Sequence, residues 1–390
     1  MWDSNVIVTG AAQTPFNRRK DGTGLRDWSA DAFADAIAMA QIEPAQIDAL
    51  YVACESDFFS LQLNPSSVLA SELGLTGAAA MRCEGGGASG QMAVHAAVMA
   101  VQSGAVRHAA VIGVDPSASS LPGPAMRTLY GFSFDAWTDG MTGLTATALY
   151  ALSWQMFAAK HGLSDAHLAE VTIQNRANAC ANPDAHLPRR DIAHEIDASP
   201  MIANPYRRLH CSPLSDGAAA LIISHESATT RRGAPRIAGI GAATDHMHLG
   251  ARTNPGDFAA KRLAMQRACS AAGIIPREIG LAEVYDAYAG AQLQALDALG
   301  LSDDLHADLE ARAFAPGGRC PVNLSGGLMG QGAPVGATGV AQVATCARLL
   351  EGRYPSDLQP KLLPKYALAD THGGVCTSAA VTILQSRGAP

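Results

Sequence analysis

The segment AQIEPAQIDALYV at residues 40–52 has a counterpart, AGIIPREIGLAEV, at residues 272–284. Five identities fall at matched places, and each pair is separated by the same 232 positions (276 minus 44): Ala40/Ala272, Ile42/Ile274, Pro44/Pro276, Ile47/Ile279 and Val52/Val284. Because proline and isoleucine match outside the alanine background, chance likeness between two alanine-rich helices does not explain the pattern. The chain therefore carries an internal duplication, and a duplication constrains the architecture more than any single motif does.

The duplication extends to both sides of this segment. Upstream, VIVTGAAQT (6–14) is similar to IAGIGAAT (237–244), and downstream GASG (87–90) recurs as GATG (336–339). Each half is predicted to run strand, helix, proline-marked turn, strand, and then a glycine turn that opens a helix of small residues. This alternation indicates an α/β fold of two βαβαβ-type halves, with helices layered on a mostly parallel or mixed sheet.

The junction between the halves is marked by ATTRRGAPR (228–236), which is polar, basic and rich in turn residues. We therefore expect an N-terminal half over residues 1–230 and a C-terminal half over residues 231–390. Residues from about 116 to 205 have no counterpart in the second half and contain polar, proline-bearing segments. They are predicted to form an inserted loop subdomain, a usual place for substrate contacts.

Composition narrows the class of protein. Of 390 residues, 48% are hydrophobic and 16% charged, and the formal net charge is -7, which argues against a general nucleic-acid surface. Eight cysteines occur without a CxxC pair, so neither a metal site nor a disulfide framework is predicted. We expect a cytoplasmic protein, because no stretch resembles a signal peptide or reaches the roughly 18 apolar residues of a membrane span.

Several motifs carry a resemblance to a known family. The duplicated core, EVYDAYA (283–289) and NLSGGLMGQGAPVGATG (323–339) together resemble the thiolase superfamily. SPMIANPYRRLHCSPLSDGAAALII (199–223) is similar to the sterol-carrier-protein type. The resemblance covers nearly the whole chain and implies a duplicated thiolase fold, a coenzyme A thioester as substrate and no bound cofactor.

The chain departs from thiolases at the residues that react. The family's nucleophilic cysteine matches Gly87, its second-half histidine matches Ala333, and its second cysteine matches Thr371. Covalent acyl transfer requires a thiolate of lowered pKa, which glycine and alanine cannot supply. Cys83 is the nearest thiol in the sequence, and it is predicted either to be a displaced nucleophile or to be a buried small side chain.

Other side chains remain that can react. Tyr285 and Asp286 are expected at the carboxyl end of a strand, where open α/β sheets bind ligands. A Tyr-Asp pair here resembles the thiolase-related aldolases that cleave steroid side-chain CoA thioesters, although Ala333 stands where those enzymes have a second tyrosine. An aldol step needs a base and donors for an enolate, not an acyl enzyme. His372 in THG is predicted to lie in a loop and is a further candidate base.

The glycine turns are predicted to bind the substrate. Gly87 and Gly90 allow close approach to the backbone, and the amides of Ala88, Ser89 and Gly90 are candidate oxyanion donors at a helix N-terminus. In the second half, Gly332 and Ala333 are the corresponding substrate-binding candidates.

Three functional hypotheses follow. The first is an enzyme that makes or breaks a carbon–carbon bond in an acyl-CoA thioester without a cysteine nucleophile. The second is an acyltransferase that uses a displaced cysteine such as Cys83, and the third is a binding subunit without catalysis. The resemblance also implies a homodimer and the possibility of a small zinc-ribbon and OB-fold partner protein.

Overall fold

A computed structural model of the chain describes residues 5–18 and 22–388. Within those residues the strands are β1 (Val6–Gln13), β2 (Ala49–Ala53), β3 (Ala79–Cys83), β4 (His108–Pro116), β5 (Met201–Ala203), β6 (Tyr206–Arg207), β7 (Asp216–His225), β8 (Arg236–Thr244), β9 (Ile279–Glu283), β10 (Tyr366–Gly373) and β11 (Ser378–Gln385).

The helices of the same residues are α1 (Leu25–Ala40), α2 (Asp57–Ser60), α3 (Pro65–Glu72), α4 (Ser89–Gln102), α5 (Gly123–Tyr130), α6 (Ala146–His161), α7 (Asp165–Ala179), α8 (Ala193–Ala198), α9 (Ala259–Ala272), α10 (Ala289–Ala298), α11 (Leu305–Glu310), α12 (Gly327–Gly330) and α13 (Val335–Leu350). The proline-marked turns of both halves form 3-10 turns, Pro44–Gln46 and Pro276–Glu278. No helix in the described part of the chain is both long and apolar enough to cross a membrane.

One mixed sheet joins the two halves. Nine strands follow the order β3-β2-β4-β7-β1-β8-β11-β10-β9, and the halves meet where β1 pairs antiparallel with β8. The order is symmetric about that point: β2 runs parallel to β4 as β9 does to β10, and β4 is antiparallel to β7 as β10 is to β11. The duplicated α/β architecture predicted from the sequence is confirmed.

Repeated glycines make equivalent contacts in the two halves. A Cβ atom at Gly10 on β1 would collide with the carbonyl oxygen of Ala36 on α1, and a Cβ atom at Gly241 on β8 would collide with that of Ala264 on α9. Each glycine therefore lets the first helix of its half lie directly against the strand.

The central core is built around the helices that follow the glycine turns. Helices α4 and α13 pack against each other, and a Cβ atom at Gly90 would lie 2.8 Å from the Cα atom of Gly339. Apolar residues from both halves surround this contact, because α13 also packs on β4, β7 and β10. Close helix packing explains why small residues recur as GASG and GATG.

The segment between β4 and β7 holds α5 to α8 and the hairpin of β5 with β6. Its α6 residues Trp154 and Phe157 are buried in one core with Phe258 and Leu293 of the second half. This segment covers the ends of β9 and β10. The domain boundaries and the inserted subdomain predicted from the sequence remain predictions.

Candidate active site

A cavity of about 580 Å³ lies where the segment between β4 and β7 covers the ends of the sheet strands. Most of its wall is apolar or aromatic, and polar side chains are few. The lining side chains include Glu55, Ser117, Leu121, Met126, Tyr130, Phe134, Tyr150, Cys211, Leu214, Tyr285, Leu328, Ala333 and His372, together with Gly87 and Gly374. A mostly apolar cavity with a few convergent polar groups is the usual form of a small-molecule site.

Tyr285 comes into this cavity from the end of β9. The strand ends at Glu283, and the amide of Tyr285 donates to Asp370 Oδ2 on the neighbouring β10 at 3.3 Å. Its side chain is 5% exposed, and within the described residues its hydroxyl makes no hydrogen bond. Burial, followed by the charges of Glu55 and Asp286, raises the pKa of Tyr285 far above its usual range. The hydroxyl is therefore protonated and free to donate.

The Tyr285 hydroxyl occupies the space in front of Gly87. A Cβ atom built on Gly87 would lie 2.5 Å from Tyr285 Oη and 2.9 Å from Cζ, and it would also collide with the carbonyl oxygen of His372. Real Cβ contacts are never this short, so any side chain at position 87 requires movement of β10 or of the tyrosine. The position that carries the cysteine in thiolases thus has neither a thiol nor room for one.

The rest of the glycine turn faces away from the cavity. The amide of Ala88 donates to the carbonyl oxygen of Gly85 at 3.1 Å, and the amide of Ser89 donates to that of Gly86. Both amides are engaged within the turn, so this geometry does not favour the oxyanion role predicted for them. Gly90 is packed on α13, so Gly87 is the member of GASG that lines the cavity.

His372 lies on β10 and is fully buried, not in a loop as the sequence predicted. Lys261 of α9, also buried, forms an ion pair with Asp370 and lies 3.1 Å from His372 Nδ1. On the other side of the ring, His372 Nε2 lies 2.8 Å from the hydroxyl of Tyr150, which donates to the carbonyl oxygen of Gly374.

These contacts fix the state of the histidine. An ammonium group can only donate, so Nδ1 of His372 accepts from Lys261 and the ring proton sits on Nε2, donating to Tyr150. Burial, then the charges of Lys261 and Arg252, lower the pKa of His372 well below its usual range. The imidazole is neutral with both nitrogens engaged, and its geometry does not favour the base role predicted for it.

Asp286 follows Tyr285 but its carboxylate turns away from the cavity. Oδ1 accepts from the amide of Leu328 at 2.6 Å, and Oδ2 accepts from Asn175 at 2.7 Å and from the amide of Met329 at 3.3 Å. Burial raises its pKa to about 6 despite these bonds. The carboxylate holds the glycine-rich segment before α13 in place through these hydrogen bonds. The geometry therefore favours a positioning role for Asp286 over the catalytic role predicted for it.

Of the two substrate-binding candidates in the second half, Gly332 and Ala333, one is enclosed and the other lines the cavity. Gly332 has a φ of 115° and is enclosed, with Ser215 Oγ only 2.6 Å from where a Cβ atom would be. Ala333 lines the cavity, and its amide donates to the same Ser215 Oγ at 3.0 Å. Gly332 is therefore needed for the turn, and Ala333 supplies a small patch of cavity wall.

All eight cysteines lie in the described residues, and of these Cys211 alone lines the cavity. Burial raises the pKa of its thiol to about 12. Cys83, at the end of edge strand β3, lies outside the cavity, and burial raises its pKa to about 11. A thiol with a raised pKa is a poor nucleophile at neutral pH.

Sequence reasoning missed several groups at this site. Lys261 stands in an alanine-rich helix, where a lysine is usually solvated, and Glu55 follows a strand with no motif around it. Ser117 and Tyr130 belong to the segment between β4 and β7, whose side-chain directions no periodicity predicts. One signal was available for Glu55: it follows β2, the strand whose sequence repeats in β9.

Comparison with known proteins identifies the family of the chain. Residues 6–197 match the family model "Thiolase, N-terminal domain" and residues 241–386 match "Thiolase C-terminal domain-like". A relative named acetyl-CoA acetyltransferase, from Methanothermobacter thermautotrophicus, is 34% identical over 89% of this chain and 91% of its own length. Human sterol carrier protein 2 is 25% identical over 99% of this chain and 72% of its own length.

Solved structures share the fold. One described as "Ltp2-ChsH2(DUF35) aldolase" superposes with a TM-score of 0.82 at 23% identity, covering 98% of both chains. Human mitochondrial 3-ketoacyl-CoA thiolase gives a TM-score of 0.76 at 17% identity, covering 98% of this chain and 99% of its own. The two matched domains and the relative at 34% identity show that this chain belongs to the thiolase family, with sterol-carrier-protein-type members among its relatives.

Proposed function

We propose that the protein forms or cleaves a carbon–carbon bond in an acyl-CoA thioester by an aldol or retro-aldol step, without a cysteine nucleophile. The observation that carries the proposal is the position of Tyr285, whose hydroxyl lies 2.5 Å from where a Cβ atom of residue 87 would stand. The cysteine that thiolases carry at this position forms an acyl enzyme. A protonated phenol in its place is suited to hydrogen-bond chemistry instead.

The proposed role of Tyr285 follows from its protonation. In a retro-aldol step the thioester oxygen gains negative charge as the bond between Cα and Cβ breaks, and a donor fixed at that oxygen stabilises the enolate. The Tyr285 hydroxyl is buried, protonated and without a partner inside the described residues. It can therefore donate to the enolate without first breaking an existing hydrogen bond.

The cavity wall supports an apolar acyl group. Leu121, Met126, Phe134 and Leu214 of the segment between β4 and β7 line the cavity together with Leu328. Burying apolar surface of a substrate against such a wall is favourable by roughly 25 cal/mol per Å². The likeness of fold to an aldolase leaves the reaction open, so the proposal rests on Tyr285 and Gly87.

The test is to incubate the protein with short and bulky 3-hydroxyacyl-CoA thioesters and to measure the shortened acyl-CoA and the released carbonyl compound by mass spectrometry. We expect cleavage by the wild type and a loss of about 100-fold or more in Tyr285→Phe, which keeps the ring and removes the donor. Tyr366→Phe, on β10 and outside the cavity, is the matched control and should retain the rate. Full activity of Tyr285→Phe would refute the role of the hydroxyl.

A second candidate function is acyl transfer, which the relatives named acetyl-CoA acetyltransferase favour. For this chain it requires a thiol within reach of the bound thioester, and Cys211 is the cysteine with that placement. Cys211→Ser separates the two functions. Loss of transfer activity in this variant would favour the acyltransferase, whereas unchanged carbon–carbon cleavage would favour the aldol step.

We also propose that the protein acts as a homodimer. Strand β3 lies at one edge of the nine-stranded sheet, and the side chain of Met81 on it is 52% exposed. An uncovered edge strand is a ready surface for pairing with another chain. Light scattering after size exclusion should give twice the chain mass.

Co-purification from the native host tests the further proposal of a small zinc-ribbon and OB-fold partner, and full activity of the isolated chain would refute it.

A further inference from the structure

Three residues that line one part of the cavity each carry a buried polar atom that has no hydrogen-bond partner among the described residues. The atoms are Glu55 Oε2, Ser117 Oγ and the hydroxyl of Tyr130. Buried polar atoms in folded proteins are almost always paired, because an unpaired one has lost its hydrogen bonds to water without replacement. Glu55 follows β2, Ser117 follows β4 and Tyr130 ends α5, so polar residues from three elements converge on one wall of the cavity, with Tyr130 near enough to Glu55 to lower the pKa of its carboxyl.

The chemistry proposed above still lacks a base. A retro-aldol step must remove the proton of the β-hydroxyl group, and the protonated Tyr285 hydroxyl cannot accept it. Asp286 turns its carboxylate out of the cavity, and His372 has both nitrogens engaged. Among the lining residues the remaining carboxylate is that of Glu55.

We propose that Glu55 is the catalytic base of this site, taking the proton of the β-hydroxyl group while the Tyr285 hydroxyl holds the enolate. The inference rests on the proposed aldol function and deepens it. The electron pair of the O–H bond becomes the new carbonyl bond, and the pair of the Cα–Cβ bond becomes the enolate. The Glu55 carboxylic acid then returns its proton to Cα, so the cycle closes without an oxidant, a reductant or a second reactant.

The backbone around Glu55 holds the carboxylate in place. Glu55 follows β2 by two residues, its amide donates to Asp115 Oδ2 on β4 at 3.1 Å, and its carbonyl oxygen accepts from Arg82 of β3 at 3.3 Å. The main chain is thus anchored to both neighbouring strands, whereas Oε2 has no hydrogen-bond partner within residues 5–18 and 22–388. A catalytic side chain on a rigid main chain is the arrangement that holds reacting atoms in position.

The surroundings of Glu55 also place its proton exchange near neutral pH. Burial, followed by the charges of Asp115 and Glu84, raises the pKa of Glu55 to about 8, and Tyr130 acts in the opposite direction. A general base is most effective when its pKa lies near the working pH. The titratable and charged groups that face this region are Asp115 of β4, Arg82 of β3, Glu84 of the glycine turn, Tyr130 of α5, Cys54 and Tyr285.

The experiment measures kcat/KM for cleavage of a 3-hydroxyacyl-CoA from pH 6 to pH 10 in the wild type, Glu55→Gln, Glu55→Asp and Glu72→Gln. The wild-type rate should rise with pH through an apparent pKa near 8 as the carboxylate forms. Glu55→Gln should lower the rate by about 10²–10⁴-fold and abolish the rise. Glu55→Asp should retain the rise at an intermediate rate, and Glu72→Gln, at an exposed position of α3, should match the wild type.

Binding of the corresponding saturated acyl-CoA, which cannot react, is measured on every variant to verify the folded site. A Glu55→Gln variant that binds this probe and keeps both the rate and the pH dependence overturns the inference while leaving the aldol function intact. A wild type that binds the 3-hydroxyacyl-CoA series and cleaves none of it instead contradicts the proposed function, and with it the base role. The two failures are therefore distinguishable.

Discussion

The two duplicated strand ends build opposite environments around one cavity. Two residues after β2 comes Glu55, whose amide donates to Asp115 on β4, and two residues after β9 comes Tyr285, whose amide donates to Asp370 on β10. In the second half Asp370 is neutralised by Lys261. In the first half Asp115 is instead held by neutral donors, the thiol of Cys54 at 3.1 Å and the amide of Gly336 at 2.5 Å.

The comparison shows how the same strand-and-turn unit, repeated in the two halves, supplies two kinds of chemical group. Burial raises the pKa of Asp115 to about 6, and its charge then contributes to the raised pKa of Glu55. On the other side, burial keeps the Tyr285 hydroxyl protonated at any ordinary pH. The first half therefore provides a group that exchanges a proton near neutral pH, and the second half provides a permanent donor.

The largest effect on stability is expected from Lys261→Met. This change removes the cation that neutralises Asp370 and that has no equivalent beside Asp115 in the described part of the first half. Asp370 would become an uncompensated buried charge, and breaking a buried ion pair costs about 3–5 kcal/mol of unfolding free energy. Urea unfolding at pH 7 measures the loss. The double variant Lys261→Met with Asp370→Asn should recover most of it, and equal loss in both would contradict the ion-pair explanation.

The next effect concerns pH and the uncompensated aspartate. The folded-state pKa of Asp115, about 6, lies above its usual 3.8, so the folded chain holds the proton more tightly than the unfolded chain does. The contribution of Asp115 to the free energy of unfolding is thus highest below pH 3.8. It falls as the pH rises to about 6, by about 3 kcal/mol at most. In Asp115→Asn this part of the decline should vanish from unfolding curves measured between pH 4 and 7. An unchanged decline would count against the assignment.

Gly87→Cys tests whether the second half leaves room for a thiol. The new Cβ atom would collide with Tyr285 and the main chain of β10, so we expect a destabilisation of about 1–3 kcal/mol. Incubation with acetyl-CoA should give no adduct on residue 87. Stable acylation of residue 87 in a fully folded variant would contradict the steric argument.

The smallest effect is expected from Tyr150→Phe. This change removes the hydroxyl between His372 Nε2 and the Gly374 carbonyl oxygen and leaves both without a partner, at a cost of about 1–2 kcal/mol. Thermal unfolding measures it, with Tyr366→Phe as the comparison. If Tyr150 were instead the catalytic donor, its loss would abolish cleavage as strongly as Tyr285→Phe.

The sequence predicted the fold because the duplication leaves repeated signals that local patterns can detect. Gly10 and Gly241, for example, are required by the same close approach of helix to strand. The site was predicted in part: Tyr285 and Gly87 line the cavity, but the direction of the Asp286 carboxylate depends on amides 42 and 43 residues away. Lys261 and Glu55 were not identified from the sequence for the same reason, because their partners are distant in sequence and no local periodicity marks them.

The intact mass of the wild-type protein, taken under denaturing conditions after incubation with short and bulky acyl-CoA thioesters, tests the central claim most directly. The account predicts an unmodified mass in a protein that binds those thioesters, because the Tyr285 hydroxyl fills the place of the nucleophilic thiol. An acyl group mapped by peptide sequencing to Cys211, Cys83 or another cysteine would contradict the account and favour acyl transfer.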